Sequence, residues 1–249
     1  MTQFTIPSVK TPAIQDCSKL QTLIETLKQS LNFTPSQVQE ILLDINISPE
    51  ELMPWADFEH PVTDSYGRKL VYDGGHFEIM VMSWMPGDCS AIHDHGATQW
   101  GAVQCFGAAE HYVYRFAKGV LSNLDDAHYT PGMVRAVNHS LIHQMANTGT
   151  EPFLSLHVYG CARSQGTITG NARIFDLLEE SIQYTDGGVF FCLTEAQINQ
   201  RTYGIQGDLE TTLRHHRQMK NRIHRILRYQ NDPQLAAKLI LINNYQPVM

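Results

Sequence analysis

Three histidines have the types and spacing of a metal site. His93 and His95 are separated by one residue, and His143 follows far downstream. On an extended strand, side chains alternate between faces, so His93 and His95 point the same way and Asp94 points to the opposite face. A third imidazole from another strand can complete a facial set of ligands and leave coordination positions open for a substrate and for oxygen. The histidines therefore predict a metal centre suited to catalysis.

The surrounding residues fit the sequence pattern of cupins, G-x5-H-x-H-x(3,4)-E-x6-G. The residues that match it are Gly87, His93, His95 and Gly107. Trp100 stands where this pattern has glutamate, so the usual carboxylate ligand is missing. A second, looser cupin motif is opened by Pro131 and Gly132 and continued by His143 and Asn147 as H-x3-N. Together the two motifs favour a metal held by imidazoles alone.

From these motifs outward, the chain resembles the cysteine dioxygenases, which are cupins that bind iron(II) through three histidines. The resemblance is carried by four segments in the same order, namely Tyr66–Val71, Ser90–His95, Leu141–Pro152 and Leu154–Tyr159. The last of these is similar to the family's S-L-H-x-Y segment. We therefore expect an iron(II) cofactor bound by His93, His95 and His143.

The resemblance implies a reaction between O2 and a small thiol, with L-cysteine converted to cysteine sulfinic acid. Three neutral imidazoles leave iron(II) its full double charge, which favours an anionic thiolate as a further ligand. The alternative substrate is another small mercapto-acid such as 3-mercaptopropionate, but enzymes of that kind usually have glutamine where this chain has Arg68. From a different class, a non-catalytic metal-binding cupin that senses a ligand is the competing interpretation.

The resemblance also implies substrate-binding and catalytic residues. Arg68 would grip the substrate carboxylate through two charge-assisted hydrogen bonds, and Tyr66 would add a hydroxyl contact. Ser155, His157 and Tyr159 alternate along one predicted strand, so they share a face. The resemblance makes them a row that orients the phenol toward substrate and oxygen. From the residues alone, a buried structural histidine hydrogen-bonded to serine is the better interpretation.

One feature of the animal enzymes is absent. They carry a cysteine after the first ligand pair, crosslinked to the tyrosine of the S-L-H-x-Y segment, whereas residues 96–101 contain no cysteine. Cys89 and Cys105 lie near the motif at other positions. We therefore expect a bacterial-type enzyme in which Tyr159 stays unmodified.

Hydrophobic periodicity predicts the elements that position these residues. Residues 17–53 have helical spacing, with a capping box at Thr34–Gln37. Short β-rich runs follow, separated by glycine and proline turns, and predict a jelly-roll barrel. These runs are Lys69–Tyr72, Phe77–Trp84, Gln99–Phe106, Tyr112–Phe116, Val134–Val137, Leu141–Met145 and Phe153–Tyr159. The fold class is thus mainly β, a cupin barrel with N-terminal helices and a C-terminal helical appendage.

The predicted organisation has three parts. Residues 1–60 form an N-terminal helical segment, residues 61–165 the cupin β-barrel with the metal site, and residues 166–249 a largely helical C-terminal extension. The extension lies beyond the resemblance and contains a basic helix, Asp208–Tyr229. Its cations could form a surface for nucleic acid or an acidic partner, but a solvated face or a contact between copies is favoured.

The amino-acid composition limits the partners and the cellular compartment that we expect. With 18 lysines and arginines against 25 acidic residues, the net charge of −7 argues against general nucleic-acid binding. Five scattered cysteines form neither a disulfide framework nor a C-x-x-C motif, which suits a reducing compartment. Because no signal peptide or long apolar segment is present, we expect a cytoplasmic protein with no membrane partner. The sequence leaves the oligomeric state open.

Overall fold

The fold comes from a computed structural model that describes residues 17–162 and 167–246. The chain begins with three helices, α1 (Ser18–Leu27), α2 (Pro35–Ile45) and α3 (Pro49–Leu52), followed by a 3-10 turn at Met53–Trp55. The predicted capping box at α2 is confirmed: Gln37 N donates to Thr34 Oγ1 at 3.2 Å, and Thr34 N donates to Gln37 Oε1 at 2.8 Å. This exchange satisfies two backbone donors at the start of the helix.

Twelve strands follow in the described residues. They are β1 (Gly67–Asp73), β2 (Phe77–Trp84), β3 (Trp100–Cys105), β4 (Ala109–Ala117), β5 (Val120–Tyr129), β6 (Val134–Asn138), β7 (Ile142–Ala146), β8 (Phe153–Gly160), β9 (Ala172–Asp176), β10 (Ser181–Thr185), β11 (Gln200–Tyr203) and β12 (Gln206–Gly207). All seven predicted strands are present. Strand β5 was missed because its sequence is polar and most of its residues are exposed or half-buried.

The strands form two main sheets and a smaller one. The five-stranded sheet has the order β1-β2-β8-β3-β6, the four-stranded sheet β12-β5-β4-β7, and the smaller sheet β11-β10-β9. The two main sheets face each other across an apolar interior, so the mainly β, cupin jelly-roll barrel with N-terminal and C-terminal helices is confirmed.

The three central strands of the five-stranded sheet, β2, β8 and β3, are buried on both faces, which fixes where their side chains point. On β2, Ile79 and Val81 pack with the N-terminal helices, whereas Met80 and Met82 belong to the barrel interior. Strand β8 alternates in the same way, because its leucines and Val158 face the helices. The alternate residues of β8, from Ser155 to Tyr159, therefore point into the barrel.

The C-terminal extension differs from its prediction as a largely helical region. Its part between Ala172 and Gly207 contributes β9 to β12, and regular helices begin only at Leu209, with α4 (Leu209–Leu227) and α5 (Pro233–Asn244). These strands are short, and short apolar runs do not distinguish strand from helix by periodicity. The predicted domain boundaries at residues 60 and 165 stay predictions.

The basic helix α4 is only partly solvated. Arg214 is buried, forms ion pairs with Asp126 and Glu210, and lies 4.1 Å from the ring centre of Tyr112. Arg222 is buried as well. Half of the helix therefore packs against the barrel instead of facing a partner. Within the described residues, every helix is too short or too polar to cross a membrane.

Candidate metal centre

The three predicted ligands come together at one end of the barrel interior. His93 and His95 lie in an extended loop between β2 and β3, and His143 lies on β7. His93 N donates to His143 O at 3.0 Å, and His143 N donates to His93 O at 2.9 Å. One ring nitrogen from each histidine lies within 4.8 Å of the other two. The loop thus pairs with strand β7 through the single residue pair His93 and His143, although the loop is not a regular strand.

Burial keeps these imidazoles neutral. Removal from water lowers the pKa of His93 to about 4, although hydrogen bonding to Ala91 O opposes the shift. The pKa values of His95 and His143 also lie well below the usual value, because of burial first and neighbouring imidazoles second. Neutral imidazoles have the lone pairs that a metal ion needs. Near neutral pH, the site therefore needs no deprotonation before it binds a metal.

The ring orientations fit a metal ion bound through Nε2 atoms. Nδ1 of His93 donates to Ala91 O at 2.8 Å, which leaves its Nε2 atom as the acceptor. Nε2 of His143 lies 3.0 Å from Nε2 of His95, so these atoms face each other. The set contains three imidazoles and no carboxylate, a donor set suited to iron, zinc, nickel or copper.

His111 is a further member of the site, and no motif in the sequence identified it. It is buried on β4, and its Nε2 atom lies 2.8 Å from Nδ1 of His143. If Nε2 of His143 binds a metal, the proton of His143 is on Nδ1 and is donated to His111. No spacing signal identifies His111, because its proximity arises from the pairing of β4 with β7.

Ser155, His157 and Tyr159 form a buried, hydrogen-bonded row on β8. Ser155 Oγ lies 2.7 Å from His157 Nε2, and His157 Nδ1 lies 2.8 Å from the hydroxyl of Tyr159. Trp84 Nε1 donates to Ser155 Oγ at 2.8 Å. Sequence alternation predicted that the three residues share a face, and the structure adds Trp84 as the anchor of the row.

The direction of this chain follows from the donors available. An indole can only donate, so Ser155 Oγ accepts from Trp84. His157 Nε2 is the only other side-chain partner of this buried hydroxyl among the described residues, so the serine proton is donated to it. His157 then has its proton on Nδ1 and donates to the oxygen of Tyr159. Burial raises the pKa of Tyr159 well above the usual value, so its phenol stays protonated. That proton is free to be donated into the cavity that Tyr159 lines.

Arg68 and Tyr66 lie at the same cavity as the histidines. Arg68 Nη2 donates to Thr169 Oγ1 at 3.3 Å, and the side chain is half-buried. The ring of Tyr66 stacks on Trp84 with centroids 4.6 Å apart, and burial raises the pKa of its hydroxyl to about 12. The cavity is small, about 40 Å³. Its walls include every site residue predicted from the sequence except Ser155, which lies behind His157.

The C-terminal extension covers part of this cavity, which the sequence analysis did not predict. Thr169, Ala172 and Val189 contribute to the walls. The strand β9 is held against the ligand loop by Asp94, whose carboxylate accepts from the Arg173 backbone N at 2.8 Å and from Arg173 Nε at 2.5 Å. The resemblance ended at Tyr159, so it gave no signal for these residues.

Comparison with known proteins gives the same assignment. The family model of cysteine dioxygenase type I matches residues 8–166, more than half of the chain. The chain belongs to the cysteine dioxygenase type I family. It is 28% identical over 150 residues to cysteine dioxygenase type 1 of Danio rerio, an alignment that covers 56% of this chain and 73% of the fish protein.

Two solved structures also align. A conserved protein of Klebsiella pneumoniae with a double-stranded β-helix domain is 20% identical, with 48% of this chain and 91% of that chain covered and a TM-score of 0.36. A cupin domain from Schizosaccharomyces pombe is 11% identical, with coverage of 42% and 67% and a TM-score of 0.33.

A glycine lies next to Tyr159 on the neighbouring strand. Gly101 on β3 is the register partner of Tyr159 on β8. A β-carbon at Gly101 would lie 2.3 Å from Val158 O and 3.1 Å from Tyr159 Cδ1, so a side chain does not fit without movement. Neither Cys89 nor Cys105 lines the cavity of Tyr159. That Tyr159 is unlinked stays a prediction.

We predict that replacing His93, His95 or His143 with alanine lowers metal affinity by more than about 100-fold, because groups that only support a ligand already contribute about 10–100-fold. Metal content after anaerobic reconstitution with iron(II) and desalting measures the effect. His128→Ala is the matched control, since His128 is exposed on β5. Full metal occupancy in His143→Ala would contradict the three-histidine assignment.

A second prediction concerns His111. Its replacement by alanine removes the acceptor for Nδ1 of His143, and we expect metal affinity to fall by about 10–100-fold. His111→Gln, which keeps a side-chain acceptor, should recover part of the loss. Competition with a metal-binding dye measures the affinity. Equal affinities for His111→Ala and the native protein would show that the contact has no supporting role.

Proposed function

We propose that the protein is an iron(II)-dependent thiol dioxygenase that converts L-cysteine and O2 to cysteine sulfinic acid. The observation that supports this most is the shared cavity: three neutral imidazoles, a guanidinium and a protonated phenol line one small space. Family membership supplies the reaction class. The reaction is balanced without a further reductant, because both atoms of O2 end on the substrate sulfur and the S–H proton passes to the sulfinic acid.

The cofactor proposed for this reaction is iron(II), held by His93, His95 and His143. When bound, it supplies redox chemistry and open coordination positions at which a thiol and O2 can meet. The protein contributes three ligands without charge, so an anionic thiolate is attracted to the site. This electrostatic preference supports a thiol substrate over a neutral alcohol.

Arg68 is proposed as the group that binds the substrate carboxylate. Its guanidinium is at the cavity wall, half-buried, and among the described residues it has no ion pair with a carboxylate. The one side-chain hydrogen bond that it makes to a described residue goes to the neutral hydroxyl of Thr169. The positive charge is therefore available to a substrate anion. Two attachment points, sulfur at the metal and carboxylate at Arg68, would orient the amino acid.

Tyr159 is proposed to donate a hydrogen bond to the substrate or to O2 during the reaction. The chain from Trp84 through Ser155 and His157 fixes the phenol oxygen as an acceptor on one side and directs its proton to the cavity. Because the whole chain is buried, the phenol is oriented before substrate arrives. His157 and Ser155 act through Tyr159, so they are positioning residues in this proposal.

Apolar side chains complete the cavity and limit the access of water. Met80, Met82, Met145 and Val189 line it, and all are buried. Low access of water strengthens the electrostatic contacts of Arg68 and Tyr159. The small volume favours an amino-acid-sized thiol over a peptide.

We predict that the iron(II) form consumes O2 in the presence of L-cysteine and that the zinc form does not, because zinc has no redox chemistry. An oxygen electrode measures uptake, and mass spectrometry identifies the sulfinic acid. A panel with 3-mercaptopropionate tests the alternative substrate. Equal activity of the zinc and iron proteins would refute an oxygenase, and metal binding without turnover of any thiol would favour a sensor.

We also predict that Arg68→Ala lowers kcat/KM for cysteine by about 30- to 1000-fold, since a lost charge-assisted contact costs about 2–4 kcal/mol. Cysteamine, which has no carboxylate, should be a poor substrate of the native protein and nearly insensitive to the change. The measurement is the ratio of the two kcat/KM values in each protein. A ratio unchanged by Arg68→Ala would mean that Arg68 does not contact the carboxylate.

A further inference from the structure

A second, larger cavity lies between helix α4 and the two loops that flank the metal ligands in sequence. Its volume is about 640 Å³, within the range of small-molecule sites, which is roughly 300–1,000 Å³. It shares no lining residue with the cavity of the three histidines. The proposed dioxygenase reaction makes no use of it.

The walls of this cavity are strongly positive. Arg222, Arg225 and Arg228 are spaced three residues apart along α4 and its C-terminal cap, so they lie near one another on one side of the helix. The one carboxylate in the lining is Asp88, which pairs with Arg225 at 2.7 Å. Two guanidinium groups are therefore left without a carboxylate among the lining residues.

Arg222 is the buried member of this set. Its Nη2 atom donates to two backbone carbonyls, Val62 O and Asp64 O, and the side chain is only 5% exposed. Its Nε and Nη1 atoms have no hydrogen-bond partner among the described residues, and the same holds for Oε1 of Gln218 beside it. The charges of Asp88 and Asp64 attract this guanidinium, but neither carboxylate forms an ion pair with it in the described structure. A buried cation that lacks an ion pair is costly, and an anion in the adjacent cavity would offset that cost.

The other two arginines of the cavity are more exposed to solvent than Arg222. Arg225 is half-buried and held by Asp88, whereas Arg228 is exposed at the rim and has no ion pair within the described part of the chain. Asn221 and Gln218 add amide groups to the same lining. Guanidinium groups bind phosphate and carboxylate oxygens in preference to neutral ligands. We propose that this cavity binds a small organic anion that carries a phosphate or a carboxylate group.

The test is isothermal titration of the full-length, metal-loaded protein with glycerol phosphate and, separately, succinate at constant ionic strength in chloride. We expect one saturable site for at least one of the two anions, and the anion that binds identifies the chemical group. Arg228→Gln should weaken binding about tenfold, since one charge-assisted contact is lost. Arg225→Gln should weaken it further, because the charge of Asp88 then opposes the anion.

Two controls separate this site from nonspecific charge and from the metal centre. Arg217→Gln removes the same charge from an exposed position of α4 that does not line the cavity, and binding should be unchanged. Arg68→Ala alters only the other cavity and should also leave binding unchanged. Absence of saturable binding, an Arg228→Gln protein that binds like the native one, or equal losses in Arg217→Gln would each overturn the proposal.

Discussion

The antiparallel pairing of His93 with His143 is the interaction on which the rest of the site depends. Two backbone hydrogen bonds, 2.9 and 3.0 Å long, join a loop to strand β7 at this one residue pair. They set both imidazoles on the same side of the pair, and the alternation of the extended loop then adds His95. A loop that carried the same residues without this pairing would not hold three ring nitrogens within 4.8 Å.

The site depends on two further constraints: the imidazoles are neutral, and the hydrogen bonds of the row on β8 run in one direction. The imidazoles stay uncharged because they are buried. The row on β8 has a single direction because Trp84 only donates, and the proton of Ser155 then has His157 as its one acceptor among the described residues. The two features meet at the cavity, where uncharged ligands lie beside a fixed phenol. This arrangement gives the family assignment a physical basis in the residues themselves.

Alternation and spacing account for how much of the site was predictable. The pair His93 and His95 and the row on β8 were identified from the sequence because their members alternate along extended backbone. His143 was identified because it belongs to a known motif. His111 and Trp84 were not identified, because each lies on a strand that pairs sideways with a strand of the site. A single sequence does not show which residues face each other across paired strands. The extension was predicted as largely helical because its short strands give a weak signal, although α4 itself was identified.

The contacts of strand β9 link two separate stretches of the chain. The three histidines and the β8 row all precede Ala172 in the sequence, whereas Ala172 and Val189 form part of the cavity wall. Asp94, which lies between two of the histidines, accepts from Arg173 and so ties the later stretch to the ligand loop. The ligand set and its enclosure are therefore encoded in different parts of the chain, and a substitution in the extension can alter access to the cavity without replacing a ligand.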